Sequence, residues 1–303
     1  MNLTKYKFAV SIIIPNYNTR DLLIECINSL YKYHNEINFE IIVVDDCSTD
    51  GSVESIASKF VDVKIISNNS NKGYCFSNNR GIEAANGEYI VLMNSDVIFI
   101  EPVFPKMISF MNSHNDSGFA AIKLVNEDWS LQYSCRKFPS ISFGVLFSLL
   151  PKIIIKHLKV YNDYYTLEMD YNKTQVVDMA AATCCIIRRD VIKRIGLMDE
   201  RYFMYVGDSE WFYRSNKAGF LFYYLNTPKI IHLGSQSTKL TNNKFLLKEY
   251  SKGFEIFYKD HLMDNFNVII GYSILLGLKV RHILISLRAS ITNSYKIGNV
   301  DIK

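Results

Sequence analysis

The sequence lacks the motifs of several large enzyme classes. No GxGxxG follows its first predicted strand, which excludes a Rossmann dehydrogenase, and the absence of a Walker motif excludes a P-loop enzyme. The net charge of +4 is too small, and the basic residues too scattered, for a nucleic-acid-binding protein. The six cysteines form no CxxC pair, and Cys184 and Cys185 are adjacent, so we expect free thiols in a reducing cytoplasm.

The N-terminal apolar run, residues 8–14, is short and ends at Pro15 without a small-residue cleavage site, so we expect no signal peptide. The 303 residues suit one large domain with an appendage, and 49% hydrophobic residues are ample for a packed core. Aromatic residues make up 14%. Core packing accounts for most of them, and stacking against sugar rings is the alternative.

Apolar runs alternate with amphipathic stretches along the first hundred residues. Continuous runs typical of buried strands cover residues 8–14, 40–44, 63–66 and 89–93. Helices are predicted from Asp21 onward, over 52–60 and over 78–85, and later runs predict strands at 223–225 and 230–231. This alternation predicts an α/β fold, a mostly parallel sheet with helices on both faces.

Three predicted strands end in polar clusters, which begin at Pro15, Asp45 and Asn94. Ligands of open α/β sheets bind beyond the carboxyl ends of the strands, so we expect these carboxylates and amides to surround one crevice. Each cluster alone is equally consistent with a turn.

Two segments differ from this pattern. Residues 140–165 carry an apolar stripe punctuated by lysines, which suits a lid, an acceptor-binding insertion or an amphipathic membrane-surface segment. The tail, residues 241–303, is predicted to be helical and holds nine Lys or Arg against five Asp or Glu. Its apolar stretch 266–287 is broken by Lys279 and Arg281, so it does not suit a spanning helix. A membrane-surface helix and an ordinary docked terminal helix remain open.

The motifs, taken in order, resemble those of family 2 glycosyltransferases with the GT-A fold. They are SIIIPNYN from residue 11, VVDDCSTDG from 43, NKG from 71 with NNRG from 78, and GEYIVLMNSD from 87. Residues 178–189 and MDERYFMY from 198 are similar to the acceptor-side region of the bacterial rhamnosyltransferase-like branch. The resemblance covers residues 8–238. It implies a GT-A domain over residues 1–240, which includes the 140–165 insertion, followed by the tail.

The resemblance also implies a nucleotide site. Pro15, Tyr17 and Asp45 would line the base pocket, with Asp45 accepting a hydrogen bond from a uracil or thymine ring. Asp46 would contact the ribose or stabilise the turn. The segment that closes over the nucleotide would contribute three further residues: Asn71, Gly73 and Asn78.

A metal site is implied at Asn94-Ser95-Asp96, which occupies the position of the family's DxD motif with Asn94 in place of the first carboxylate. Asp96 would hold Mg²⁺ or Mn²⁺ against the donor diphosphate, since hard oxygen ligands suit these ions. His232 matches a position where relatives place a metal- or phosphate-facing histidine, and a structural role is the alternative.

Asp208 is the implied catalytic base, because the segment around it matches the family's Glu-Asp pair with Gly207 in place of the Glu. Glu210 would support the site. Trp211 suits either acceptor stacking or burial. Arg188 and Arg189 suit either acceptor phosphates or an exposed helix start.

We therefore predict an inverting glycosyltransferase of bacterial surface polysaccharide synthesis that uses a dTDP- or UDP-sugar, rhamnose among the candidates, and a glycan or lipid-linked acceptor. Another donor sugar, such as galactofuranose, glucose or an N-acetylhexosamine, is one alternative. A catalytically weak, binding-only relative is the other. We expect a cytoplasmic protein at the inner face of the plasma membrane, and the sequence leaves its oligomeric state open.

Overall fold

The computed structural model describes residues 6–140, 146, 150, 152–234 and 243–292. Its β-strands are β1 Phe8–Asn16, β2 Phe39–Asp45, β3 Lys64–Ser67, β4 Gly87–Met93, β5 Val97–Phe99, β6 Ser117–Val125, β7 Cys135–Arg136, β8 Gln175–Val177, β9 Met179–Ala180, β10 Cys184–Arg188 and β11 Leu221–His232. Its α-helices are α1 Arg20–Tyr33, α2 Ser52–Lys59, α3 Tyr74–Ala84, α4 Phe104–Ser113, α5 Lys152–Ile155, α6 Lys159–Tyr164, α7 Arg189–Ile195, α8 Gly207–Lys217, α9 Asn243–Phe257 and α10 Val268–Thr292.

The main sheet has the strand order β3-β2-β1-β4-β10-β6-β11-β5, and β8 pairs with β11. Six of its nine strands run in one direction, while β10, β5 and β8 run against them. The predicted mostly parallel α/β architecture is confirmed. The reversal of β10 was not predicted, and it decides where two arginines lie.

The two faces of the sheet carry separate apolar cores. Ile12 and Ile14 of β1 pack into one core, and Ile13 between them packs into the other. This alternation follows from the pleat of a strand, whose successive side chains point to opposite faces. Because both sets are fully buried, helices cover the sheet on both sides, as predicted.

Three segments differ from the sequence patterns by more than a residue or two at their ends. Helix α3 begins at Tyr74 rather than at residue 78, because Gly73 bends the chain directly before it with φ of 89°. The two late strand segments are one strand, β11, which contains the cis Thr227–Pro228 peptide. Residues 176–187 form one apolar run in the sequence, but the structure divides it among β8, β9 and β10.

Part of the predicted 140–165 insertion, residues 141–145, 147–149 and 151, lies outside the described residues. Of the stripe residues that are described, Leu146 and Leu158 are partly buried against the core and Ile154 is exposed. Ile155, Tyr161 and Tyr164, which lie beside the stripe in the sequence, are buried.

The first half of the tail packs on the rest of the chain. Gly253 of α9 lies so close to Val206 that an added Cβ would be 3.1 Å from the valine Cβ. Beyond α9, Asp260 pairs with Arg201, and His261 Nε2 lies 3.1 Å from Glu210 Oε1. The predicted division at residue 240 stays a prediction, but helix α9 is docked against the segment that leads into α8.

The second half of the tail, α10, has two different faces. Ile274 and Leu275 are buried against Tyr258 and its neighbours. The opposite face exposes a stripe of large apolar side chains at helical spacing: Ile269, Tyr272, Leu276, Val280 and Ile283. Among the described helices, none is both long enough and apolar enough to cross a bilayer.

Candidate active site

The carboxyl ends of β1, β2 and β4 are joined by side-chain hydrogen bonds. Asn16 at the end of β1 donates to Asp45 at the end of β2, with 2.8 Å between Nδ2 and Oδ1. Its other amide atom accepts from Thr19, whose hydroxyl lies 2.7 Å from that of Ser95 beyond β4. The expected convergence of the polar clusters is therefore observed, and Asn16, which the sequence analysis did not single out, is at its centre.

Asp45 is nearly inaccessible, at 3% exposure. Besides Asn16, it accepts a hydrogen bond from the backbone N–H of Ser48 at 2.9 Å. Each carboxylate oxygen has two acceptor positions, so one remains on each for a base N–H. Pro15 and Tyr17 are partly exposed beside it. Their contacts with a nucleotide base stay predictions.

Asp46 holds the loop that leads into α3. Its carboxylate accepts from the Asn68 amide at 2.8 Å and from the backbone N–H groups of Lys72 and Gly73 at 2.8 and 2.7 Å. Of the two roles considered, the stabilising one is observed.

The other residues predicted to close over the nucleotide occupy three different environments. Asn71 is exposed, whereas Asn78 is fully buried within α3 and donates to the Tyr74 carbonyl. Position 73 requires glycine for two reasons. Its φ is positive, and a Cβ there would lie 2.2 Å from the Phe203 carbonyl oxygen. It therefore allows close contact between α3 and the segment before α8.

The two predicted metal ligands lie side by side. Asp96 Oδ1 and His232 Nε2 are 3.3 Å apart, because His232 ends β11 where it pairs with Val97 of β5. Asn94 lies nearby and donates its backbone N–H to the Thr183 carbonyl at 3.0 Å.

Gln132, a residue that no sequence pattern singled out, sets the orientation of the His232 ring. Its amide nitrogen donates to Asn126 Oδ1 and to the His232 carbonyl, so its oxygen accepts from His232 Nδ1 at 2.8 Å. In the neutral ring, Nε2 then presents its lone pair toward Asp96, an arrangement typical of metal-binding histidines.

This donor pair fits a divalent ion. Two ligands at right angles and about 2.1 Å from Mg²⁺ are about 3.0 Å apart, close to the observed separation. Within the described ranges, no three His, Cys, Asp or Glu side chains form a cluster that could hold an ion. Oxygens of other kinds, from amides, backbone carbonyls, substrate or water, would complete the coordination.

Asp208 lies at the start of α8 and lines a cavity of about 210 Å³. Burial raises the pKa of its carboxyl to about 6, although hydrogen bonds from the Ser209 and Ala182 backbone counteract part of this rise. A carboxylate with a pKa near 6 is ionised at neutral pH and is a stronger base than an ordinary aspartate. The predicted base therefore has the environment that this role requires.

Gly207 has no room for a side chain. A Cβ there would lie 2.3 Å from the Cys75 sulfur of α3 and 3.0 Å from the Tyr202 Cβ. The glycine thus lets α8 begin directly against α3, which accounts for its departure from the family's Glu.

Glu210 does not line the cavity. Although burial would raise its pKa, hydrogen bonds from His261 and Arg214 outweigh that effect, and the pKa lies below its usual value. Arg214 donates to Glu210 at 2.7 Å. Glu210 therefore links α8 to the tail.

Trp211 is fully buried, which confirms the burial alternative and excludes sugar stacking in this conformation. The acceptor-phosphate alternative for Arg188 and Arg189 is not supported. Their guanidinium groups donate to backbone carbonyls, including those of Ser117 and Gly87. Since β10 runs antiparallel to β4, Arg188 pairs with Tyr89 near the start of β4 and far from the strand ends that form the site.

Most of the residues that form the cavity wall around Asp208 were not indicated by any sequence pattern. Four chain segments contribute aromatic or charged side chains to it: Arg136, Tyr164, Tyr165, Tyr205, Tyr250 and Phe254. Tyr250 and Phe254 belong to α9, so the tail supplies part of the wall. A high tyrosine content was the one visible signal.

Comparisons with known proteins agree with this geometry. The family model of glycosyl transferase family 2 matches residues 11–196. The N-acetylglucosaminyl-diphospho-decaprenol L-rhamnosyltransferase of Mycobacterium tuberculosis is 23% identical over 209 residues, 65% of this chain and 67% of that protein.

Two solved structures share the fold. S. aureus TarS 1–349 in complex with UDP-GlcNAc has a TM-score of 0.55 at 19% identity, and the match covers 95% of this chain and 76% of TarS 1–349. The mannosyltransferase PcManGT from Pyrobaculum calidifontis, in complex with GDP-Man and Mn²⁺, has a TM-score of 0.52 at 14% identity and matches 96% of this chain and 77% of PcManGT. These likenesses confirm the predicted GT-A fold.

Proposed function

Because this chain belongs to glycosyl transferase family 2, we propose that it moves a sugar from a nucleoside-diphosphate donor to a glycan or lipid-linked acceptor with inversion at the anomeric carbon. The observation that carries this proposal is Asp208, a carboxylate of raised pKa in a cavity lined by aromatic side chains. Aromatic walls suit the apolar faces of sugar rings.

In the proposed reaction, Asp208 removes the proton of an acceptor hydroxyl bound in the cavity. The hydroxyl oxygen attacks the anomeric carbon of the donor, and the bond from that carbon to the diphosphate oxygen breaks as the new glycosidic bond forms. The nucleoside diphosphate leaves from the opposite side, which inverts the configuration. One oxygen of Asp208 accepts from Ser209 at 2.8 Å, which fixes the carboxylate for this transfer.

Asp96 and His232 would hold Mg²⁺ or Mn²⁺, and the bound ion would stabilise the charge that develops on the leaving diphosphate. Gln132 keeps the His232 ring oriented for this role. Asp45, Pro15 and Tyr17 would bind the base, at the crevice that the Asn16 network builds.

For the donor we propose a dTDP- or UDP-sugar, with rhamnose as the first candidate. The Mycobacterium tuberculosis relative named above transfers L-rhamnose. An N-acetylhexosamine is the second candidate, because TarS 1–349 was solved with UDP-GlcNAc and matches nearly the whole chain. The accepting glycan would belong to a bacterial surface polysaccharide.

We also propose that the protein works at the cytoplasmic face of a membrane. Large apolar side chains follow one another along the exposed stripe of α10, with Ile269 at 76% and Leu276 at 62% exposure, and contiguous apolar surface of this kind marks interaction sites. The same helix carries Arg281 and Arg288 in its sequence, and basic residues on an apolar helix suit an anionic bilayer surface.

The proposal is tested with a panel of nucleotide sugars. Donor binding in the presence of Mn²⁺ should raise the melting temperature, since a ligand at one hundred times its Kd stabilises the native state by about 2.7 kcal/mol. The matching donor should also be hydrolysed slowly without acceptor, which a binding-only protein would not do. Should no nucleotide sugar shift the melting temperature and none be hydrolysed, the proposed activity is wrong.

A further inference from the structure

The cavity around Asp208 contains one negative and one positive side chain. Asp208 is the single carboxylate in its lining, and Arg136 is the single lysine or arginine in that lining as far as the structure describes it. The other lining residues are mainly aromatic or small. A ligand that fills the cavity therefore meets a base at one point of its surface and a guanidinium at another.

Among the residues that the structure describes, none offers Arg136 a carboxylate partner. No Asp or Glu in the described part of the chain forms an ion pair with it, and Asp301 is the one acidic residue outside that part. Its Nη1 donates to the Tyr133 and Cys135 carbonyls at 2.8 and 2.6 Å, and its guanidinium lies over the Tyr165 ring at 4.7 Å. These contacts hold the guanidinium in place, and none of them brings a negatively charged group to it.

A planar guanidinium that is already held in place by backbone carbonyls and an aromatic ring is suited to binding an oxyanion. The two arginines considered for this role from the sequence, Arg188 and Arg189, lie near the start of β4 and do not line this cavity. Arg136 is the basic residue that shares a cavity with the proposed base.

We propose that Arg136 binds a phosphate of the acceptor, next to the sugar whose hydroxyl Asp208 deprotonates. This inference rests on the proposed function. A cavity of about 210 Å³ is smaller than the usual drug-sized pocket of roughly 300 Å³ or more, so it suits one sugar residue rather than an oligosaccharide. A phosphate attached to that sugar would then lie within reach of the cavity wall.

The surroundings favour a lipid-linked phosphate as the source. Tyr250 and Phe254 of the cavity wall belong to α9, and α10 with its exposed apolar stripe packs on the turn that directly follows α9. Of these two neighbouring helices, α9 thus lines the cavity and α10 presents an apolar surface to the outside of the protein. A diphosphate between a sugar and a lipid chain joins these two environments.

The test compares two soluble probes that differ in charge, an N-acetylglucosaminyl diphosphate with a short alkyl chain and the neutral alkyl glycoside of the same sugar. Binding is measured by calorimetry in full-length protein that carries Asp208→Asn, with and without Arg136→Gln. Affinity for the diphosphate probe should fall about 10- to 100-fold in the Arg136 variant, since a hydrogen bond to a charged group is lost. The neutral glycoside should bind equally to both proteins. Lys137→Gln is the matched control, because it removes an equal charge from an exposed neighbouring residue.

Arg136→Lys keeps the positive charge but loses the planar guanidinium. Its affinity for the diphosphate probe should lie between that of the protein with Arg136 and that of Arg136→Gln. Inorganic pyrophosphate should compete only weakly if the sugar-linked phosphate is the ligand, and strong competition would identify a free-phosphate site instead. UDP binding with Mn²⁺ separates this inference from the proposed function. If UDP binds normally while Arg136→Gln leaves diphosphate-probe affinity unchanged, or if the substitution weakens UDP binding, the acceptor role of Arg136 is wrong.

Discussion

Replacing Asp208 with Asn should make the protein more stable and much less active at the same time. The amide is isosteric with the carboxylate and keeps the bond from the Ser209 N–H, 2.8 Å away, through its carbonyl oxygen. What it removes is the negative charge in the cavity and the proton acceptor.

The stability change follows from the raised pKa of Asp208. A rise from 3.8 to about 6 corresponds to about 3 kcal/mol at 1.36 kcal/mol for each pKa unit. The side chain is partly exposed, so solvent screening reduces this value, and we expect a gain of about 1–3 kcal/mol. Because the folded-state pKa lies above the unfolded one, ionisation destabilises the native state above pH 6, and this cost vanishes below about pH 4.

Unfolding of wild type and Asp208→Asn should therefore be compared at pH 7.5 and pH 4. The variant should unfold at higher denaturant concentration at pH 7.5, and most of the difference should disappear at pH 4. Turnover should fall about 10²-fold or more with donor affinity unchanged, since general-base help is lost. Asp62→Asn, an exposed change of equal charge, should alter neither property.

A variant that is less stable than wild type at both pH values would show that the carboxylate is a structural group. Turnover within a few fold of wild type would show that the base lies elsewhere. Wild-type kcat/KM should also rise with pH to a plateau above about pH 6, as the Asp208 carboxyl ionises.

Three further predictions concern other parts of the molecule. Asp96→Ala should weaken donor binding and remove its dependence on Mn²⁺. Gln132→Ala should weaken Mn²⁺-dependent UDP binding about 10- to 100-fold, because the His232 ring loses the group that orients it. Unchanged UDP titrations in both variants would refute the metal assignment. Gly207→Ala should destabilise the protein by about 1–3 kcal/mol in denaturant unfolding because its Cβ meets the Cys75 sulfur, and Cys75→Ala in the same chain should restore part of the loss. Replacing Ile269, Leu276 and Ile283 with Gln should abolish flotation with anionic vesicles and leave the melting temperature unchanged. Ile274→Gln, on the docked face of the same helix, should lower the melting temperature. Wild-type protein that does not bind such vesicles at low salt would contradict the membrane role.

The sequence predicted the half of the site that local patterns encode. Polar residues directly after buried runs had to meet at one edge of a parallel sheet, and Asn16, Asp45 and Ser95 do so. The pairing of Asp96 with His232 followed from family resemblance, because no local pattern indicates that residue 232 lies beside residue 96. The structure adds the reason, which is the antiparallel pairing of β5 with the end of β11.

The part of the site around Asp208, where we propose that the acceptor binds, could not be predicted from local sequence patterns. Its position depends on strand direction and helix docking, which are long-range properties. One reversed strand, β10, carries Arg188 away from the site and at its other end brings residue 183 next to Asn94, with Cys184 opposite Met93. A periodicity argument cannot detect such a reversal, since an apolar strand has the same pattern in either direction.

The tail shows the same limit from another side. The charge and periodicity of residues 241–303 predicted one basic, helical appendage. The two helices observed in this tail have different surroundings. Helix α9 buries Leu246 and Phe257, approaches Val206 through Gly253, and contributes Tyr250 to the cavity that holds Asp208. Where its side chains are described, helix α10 buries only a narrow face. If its exposed stripe rests on a bilayer, then α9, which packs on α10, connects the membrane-bound helix to the wall of the cavity. An acceptor held by its lipid would then reach Asp208 along a wall that the tail itself provides.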